Sequence, residues 1–233
     1  MFEKIKRRAT APDDFDFLRR HMVERQIRRR GIVDARVLSA MDSVPRHCFV
    51  PADRLASAYS DCPLPIGDGQ TISQPFMVAA MADALMLQGS ERVLEIGAGS
   101  GYQAAVLSLL AQEVIAIETR PRLAAMARER LACLGHLNVR IQEGDGSLGW
   151  PVERPYDAIL VSAAAPAVPQ PLIDQLADGG RLAIPVGETE NQQVLRITKR
   201  GGEIIREKLY HCRFVPLVGQ HGWREFAPKA PSE

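Results

Sequence analysis

The sequence predicts an α/β fold: a mainly parallel, doubly wound sheet preceded by N-terminal helices and closed by a C-terminal antiparallel hairpin. Three observations predict it. Short apolar runs alternate with helix-like segments from Arg92 to Pro185, the stretch Arg92 to Tyr102 carries three glycines at alternate positions, and Gly201-Gly202 joins two final β-like runs. A chain of 233 residues suits one domain with a sizeable core better than two.

Residues 1–14 are charged and include Ala11-Pro12-Asp13-Asp14, which predicts a flexible arm; a single domain over 15–223 and a flexible tail over 224–233 follow. Within that domain, 15–74 hold helices and a substrate or cofactor loop, and 75–223 form the α/β core. Phe15 to Arg30 has helical composition and stops at Gly31, and Asp34 is placed to cap a second helix through Met41. Val44-Pro45-Arg46-His47 marks a break. Pro51 to Gln74 is rich in Pro, Gly, Asp and Ser, so a long, irregular but ordered loop is expected, of the kind that often carries function.

Pro75 to Leu87 then reads as a helix, Val93 to Ile96 as a buried strand, and Tyr102 to Leu110 as a helix facing the glycine turn. Val114 to Ile117 is the next strand, and Pro121 starts a helix to about Leu134, with proline in its first turn. Val139 to Ile141, Tyr156 to Ser162 and Arg181 to Pro185 read as strands, with a helix at Pro171 to Leu176. Gln193 to Lys199 and Glu203 to Leu217 complete the hairpin.

Charge gives no general case for nucleic-acid binding, since 29 basic side chains stand against 28 acidic ones. The basic clusters Lys4 to Arg8 and Arg28 to Arg30 read as solvated faces, so nucleic acid is an unlikely partner. No segment has the length of a membrane span and no apolar signal region follows the basic N-terminus, so a cytoplasmic protein without membrane partners is expected, a monomer being favoured. Cys48, Cys62, Cys133 and Cys212 lie far apart and read as reduced packing residues. The histidines show no ligand spacing either, so no metal is expected.

The chemistry is written at the ends of the strands. Gly97, Gly99 and Gly101 follow Glu95 in a G-x-G-x-G spacing, whereas a pyrophosphate fingerprint would place its third glycine where Tyr102 stands. Glu118, with Thr119, ends the second strand, where a carboxylate can accept from two ribose hydroxyls; Asp145-Gly146 follows the third strand. Ligands of open α/β sheets bind along this edge. Together these elements resemble the S-adenosyl-L-methionine site of the Rossmann-like methyltransferases. The resemblance implies that the glycine loop meets the amino-acid end of the cofactor, Glu118 the ribose and Asp145 the adenine.

The segment before the core points to the acceptor. Pro63 to Pro75, PLPIGDGQTISQP, closely resembles the corresponding stretch of protein-L-isoaspartate (D-aspartate) O-methyltransferases. Further matches occur in order at Arg30-Gly31-Ile32, Val44-Pro45-Arg46, Phe49-Val50-Pro51, Gly99 to Gln103 and Gly144-Asp145-Gly146. They continue at Pro155 to Ile159, Ala163 to Pro166, Gly179-Gly180, Pro185 to Gly187 and Phe214 to Leu217, covering roughly residues 22–218.

This resemblance implies transfer of a methyl group from S-adenosyl-L-methionine to the free α-carboxyl of L-isoaspartyl residues in damaged proteins and peptides, leaving S-adenosyl-L-homocysteine. The ester favours succinimide formation, and opening of that ring restores some normal aspartyl linkage. Ser73 carries over as the active-site residue, with an orienting role, since a carboxylate needs placement rather than a general base. Capping of the following helix is the alternative role for its hydroxyl. Gln70, Thr71 and Ile72 carry over as cofactor neighbours. Animal members place a histidine where this chain has Val78, so no side-chain hydrogen bond is expected there. Ala164 is a candidate for acceptor contact, and Val215 with Leu217 for an edge that pairs with an extended peptide or for a buried closing strand.

Other readings stay open on the residues alone. They are a same-fold methyltransferase acting on RNA or a small molecule, and a non-catalytic S-adenosylmethionine-binding module. Ser162 to Pro166 lacks the Asn/Asp-Pro-Pro-Tyr pattern of nucleic-acid amino-methylating enzymes, and the glycine spacing speaks against a nicotinamide-dependent oxidoreductase.

Overall fold

The computed structural model describes residues 12–188 and 190–224. Seven strands form the central sheet in the order β5-β4-β3-β6-β7-β8-β9. These are β3 (Arg92–Ile96), β4 (Glu113–Glu118), β5 (Val139–Glu143), β6 (Tyr156–Val161), β7 (Leu176–Glu188), β8 (Asn191–Arg200) and β9 (Glu203–Cys212). β3 to β7 pair in parallel, while β8 is antiparallel to both β7 and β9. The expected mainly parallel sheet with a terminal antiparallel hairpin is therefore present.

Burial explains why the central strands are nearly continuous apolar runs. Val93, Val114, Ala116, Ala158 and Leu160 belong to one core cluster, and their alternating neighbours Leu94, Ile115, Ile117, Ile159 and Val161 to a second on the opposite face. A strand covered on both sides has no polar face to present. The two coverings differ. The first face carries the N-terminal elements together with α3 (Pro75–Ala84), α4 (Tyr102–Ser108) and α5 (Pro121–Cys133), while the second is covered by α6 (Gln170–Asp174), Tyr156 and Leu217.

Several boundaries depart from expectation. Helix α1 (Pro12–Met22) begins inside the segment expected to be an arm, and Asp14 in its first turn complements the helix dipole. The rest of that arm and residues 225–233 of the expected tail lie outside the described residues. After Met22 the helix widens into a π segment, Val23–Ile27, and tightens into a 3-10 turn, Arg28–Arg30. Helix α2 (Ala35–Ser43) is capped as expected, the Asp34 carboxylate accepting from Arg36 N at 2.8 Å and Val37 N at 3.3 Å.

The loop expected to be irregular contains a hairpin, β1 (Leu64–Gly67) with β2 (Gln70–Ile72). Its turn residues Asp68 and Gly69 have φ of 52° and 70°, the positive pair that a type I′ turn demands and that an Asp-Gly dipeptide supplies. The last strand is shorter than expected, because β9 ends at Cys212. Beyond it the Gln192 side chain accepts from Phe214 N at 2.6 Å, and Pro216 has no N–H to continue a ladder.

Gly101 shows how tightly the layers pack. It initiates α4 at φ 89°, and a Cβ there would lie 3.3 Å from Ala127 Cβ and 3.4 Å from Leu131 Cδ1 on α5. The third glycine of the motif thus serves helix packing and backbone conformation. Gly101→Ala is expected to lower stability by about 1–2 kcal/mol through strain and overpacking. Urea denaturation measures this, and a stability equal to that of the native chain would refute it.

Candidate active site

β3 and β6 are neighbours near the middle of the sheet, and the connection from β3 leads to β4 on one side while that from β6 leads to β7 on the other. That reversal opens a crevice at the C-terminal strand ends. The ladder continues past the strands: Gly97 N and Ala98 N both donate to Ile117 O, at 2.8 and 3.0 Å, and Ser162 N donates to Ile96 O at 2.8 Å. The Glu118 carboxylate then accepts from Gly99 N at 2.8 Å and from Arg120 N at 2.9 Å. One buried side chain thereby joins the glycine loop to the turn after β4. A carboxylate offers about four acceptor positions, so Glu118 retains capacity for further donors.

The crevice is open to solvent and spans about 800 Å³. Gln70, Thr71, Ile72 and Ser73 form one wall, and Glu95, Gly97 and Gly99 another. Glu118, Thr119 and Gly146 border it beyond the glycine loop, and Val215 with Leu217 line it from the C-terminal segment. Val78 is also at the wall and contributes only apolar surface.

Three expected residues lie elsewhere. Gly101 packs against α5, as described above. Asp145 is absent from the cavity lining, and its carboxylate is engaged elsewhere: Oδ1 accepts from Ser147 N at 2.9 Å and Ser147 Oγ at 2.7 Å, and Oδ2 from Gln220 N at 2.7 Å. It holds the C-terminal segment in place, a role that its position after a strand does not reveal. Ala164 is fully buried; its N–H donates to Val215 O and its carbonyl accepts from Leu217 N, both at 2.8 Å. Leu217 O in turn accepts from Trp223 N at 2.7 Å, so both backbone groups of Leu217 are engaged and it offers no open edge to a peptide.

Ser73 has a different setting from the one a cap requires. Gln74 is the N-cap of α3, and no side-chain hydrogen bond caps that helix. Ser73 instead lines both the first cavity and a broader cleft of about 1820 Å³. The two spaces share Thr71, Ser73, Ser162, Val215 and Pro216, and the cleft extends to Phe76 and Tyr210. A molecule in each would meet along this shared wall, of which Ser73 is a part.

Sequence reasoning missed other wall residues. Ser162 stands at the C-terminal end of β6, where the strand-end rule could have found it, whereas Tyr102 and Gln103 sit within the quoted motif. The hairpin is fastened to the first turn of α5 by Arg122, whose Nη2 and Nε donate to the Asp68 carboxylate at 2.9 and 3.1 Å. Residues 54 positions apart give no local signal for that pair.

Glu95 is the electrostatic anomaly. It is fully buried, and its carboxylate has no well-formed hydrogen bond, the Ser162 hydroxyl standing beside it as a weak donor. Burial pushes its pKa well above the usual carboxylate range, the neighbouring Glu118 raises it further, and the Ser162 hydroxyl opposes the shift. Such a group is satisfied by a donor or cation entering the cavity.

The family model for protein-L-isoaspartate(D-aspartate) O-methyltransferase matches residues 18–222. A protein-L-isoaspartate O-methyltransferase of Geobacter metallireducens is 56% identical over 211 residues, which are 90% of this chain and 98% of that protein. One from Methanoculleus marisnigri is 54% identical, over 88% of this chain and 94% of its own. Among solved structures, a protein-L-isoaspartate O-methyltransferase aligns with a TM-score of 0.79 at 29% identity, covering 87% of this chain and 67% of that one. A Plasmodium falciparum protein described as a protein-L-isoaspartate O-methyltransferase, in complex with S-adenosyl-L-homocysteine, aligns with a TM-score of 0.74 at 29% identity, covering 86% and 98%.

The raised pKa of Glu95 has a defined consequence for stability. Between the ordinary carboxyl value and the raised one, the native chain binds a proton that the unfolded chain has lost, so the contribution is present at low pH and is lost as pH rises. Glu95→Gln is therefore expected to stabilise the ligand-free protein at pH 8 by about 1 kcal/mol or more, with the gain shrinking toward pH 4. Thermal unfolding across this pH range tests the expectation, and a gain independent of pH would contradict it.

Proposed function

The chain belongs to the protein-L-isoaspartate(D-aspartate) O-methyltransferase family, and we propose that it transfers a methyl group from S-adenosyl-L-methionine to the free α-carboxyl of L-isoaspartyl residues in damaged proteins and peptides. The observation that carries this reading is the family match over residues 18–222, joined to a cavity that meets a second cleft along a shared wall that includes Ser73.

The cavity suits that cofactor on its own chemistry. Glu95, one of the lining residues, carries a buried carboxylate that the Ser162 hydroxyl serves only weakly, a demand answered by a ligand with a cationic amino-acid end. Glu118 holds the glycine loop through two backbone bonds and takes ribose hydroxyls on its remaining lone pairs. Gln70, Thr71 and Ile72 close the opposite wall, with Thr119 and Gly146 beside the nucleoside. When bound, S-adenosyl-L-methionine supplies a methyl group activated on a sulfonium centre.

The protein's remaining task is placement. An α-carboxyl has a reference pKa of about 3.5, so the acceptor is already ionised at neutral pH and needs no base. Ser73 donates its hydroxyl to one carboxylate oxygen and holds the other in line with the methyl carbon. The cleft past Phe76 and Tyr210 receives the damaged segment. Ala164 acts indirectly, by holding the backbone of Val215 and Leu217.

The same reading places the enzyme in the cytoplasm, acting on proteins and peptides. The four unpaired cysteines suit a reducing compartment, and the near balance of basic and acidic side chains offers nucleic acid no general attraction. Among the described residues, no helix is long and apolar enough to cross a membrane.

Labelled S-adenosyl-L-methionine with a synthetic isoaspartyl peptide is expected to label that peptide and spare its normal aspartyl counterpart. Label on neither peptide, with cofactor binding intact, would sink this reading. For Ser73→Ala, loss of one hydrogen bond to a charged group, about 1.5–3 kcal/mol, predicts a kcat lower by about ten- to a hundredfold with folding retained. Steady-state kinetics decides it, and native turnover would remove the serine from the mechanism.

A further inference from the structure

Beneath the junction of the two cavities lies a buried cation that the reaction scheme does not use. Arg46, in the 3-10 turn Arg46–Phe49, is fully buried. Its Nε donates to Ala58 O and its Nη2 to Ser73 O, both at 2.8 Å. The guanidinium carbon stands 5.0 Å from the centre of the Tyr102 ring, and Phe49 meets that ring edge-on at 5.4 Å. Tyr102 itself lines the cofactor cavity.

This is an unusual place for an arginine. Among the described residues no carboxylate pairs with it, and burial lowers its pKa from the ordinary arginine range. A buried cation held by two carbonyl oxygens and an aromatic face contributes little to stability compared with an apolar side chain of similar size. Its planar fork does fix the relative position of whatever it joins. Here it joins the carbonyl of Ser73 to that of Ala58, just beyond the turn Ala52–Ser57, over a floor formed by the ring that follows the glycine loop.

We propose that Arg46 is a positioning residue for the methyl transfer: it clamps the backbone of Ser73, so that the serine hydroxyl points at the acceptor carboxylate while the cofactor wall stays in register with it. The inference rests on the orienting role of Ser73. Arg46 touches neither acceptor nor cofactor and acts through the serine. Charge alone does not suffice, because a lysine ammonium is a point donor without the planar fork that spans both carbonyls.

A double-mutant cycle tests this, using the full-length protein. Arg46→Lys is expected to lower kcat for an isoaspartyl peptide by about ten- to a hundredfold, the cost of a small misplacement of a reacting group. The affinity for S-adenosyl-L-homocysteine, read by calorimetry, should stay within about threefold of native, which is about 0.65 kcal/mol. In a Ser73→Ala background the same substitution should change kcat by no more than about twofold, since residues acting through one group are not additive. Equal fold losses in both backgrounds would overturn the proposal, as would a loss that follows cofactor affinity or full activity of Arg46→Lys. Native turnover of Ser73→Ala alone would show that the serine's role had failed, and the clamp with it, a result distinguishable because Arg46 is then untouched. Circular dichroism verifies folding of each variant, and Arg46→Gln, a neutral donor of similar reach, takes the place of the lysine variant if that one does not fold.

Discussion

Everything at the active edge depends on a hydrogen-bond ladder that outlasts its strands. Ile117 O accepts from both Gly97 N and Ala98 N, and Ile96 O accepts from Ser162 N, so the chain beyond β3 remains pinned to its neighbours where it ceases to be extended. A loop held this way cannot collapse into the crevice where β3 and β6 diverge. Glu118 adds the next restraint by binding Gly99 N and Arg120 N. The cavity is therefore built before any ligand arrives, at a point dictated by sheet topology, with an acid left buried in its wall as the cost.

Two buried ionisable groups flank this region and are served differently. Arg46 has two carbonyl partners and an aromatic face, whereas Glu95 has the Ser162 hydroxyl as a weak donor beside it. Each is left partly unsatisfied, Arg46 at Nη1 and Glu95 at its carboxylate, and folds tolerate such groups at functional sites. Dense apolar packing makes this tolerable, since the strands that carry Glu95 and its neighbours are buried on both faces.

Legibility in the sequence followed the range of the interactions. The central strands were plain because a strand buried on both sides must be apolar throughout, and Asp34 was plain because a cap is a local device. The β1–β2 hairpin was present in the text as Asp68-Gly69, yet the surrounding prolines and glycines masked it as a loop. Gly101 and Asp145 are read by motif position, which specifies a residue type at a strand end but not its tertiary partners; Gly101 packs against Ala127, and the Asp145 carboxylate holds Gln220 N. The serine motif and the glycine loop were both legible. Arg46 appeared there only as one letter of a matching motif, because nothing local distinguishes a buried guanidinium from a solvated one.

The segment from Val215 to Trp223 forms part of the cavity wall and is anchored by Asp145, Ser147 and Ala164. The Asp145 to Gln220 bond spans 75 residues. A chain growing from its N-terminus can assemble the glycine loop and β4 early, but the wall that completes the site emerges only after β5 to β9 have been made. Competence thus waits for a segment far downstream, and a product truncated before Val215 that retains every glycine of the opening motif would still be an unfinished vessel.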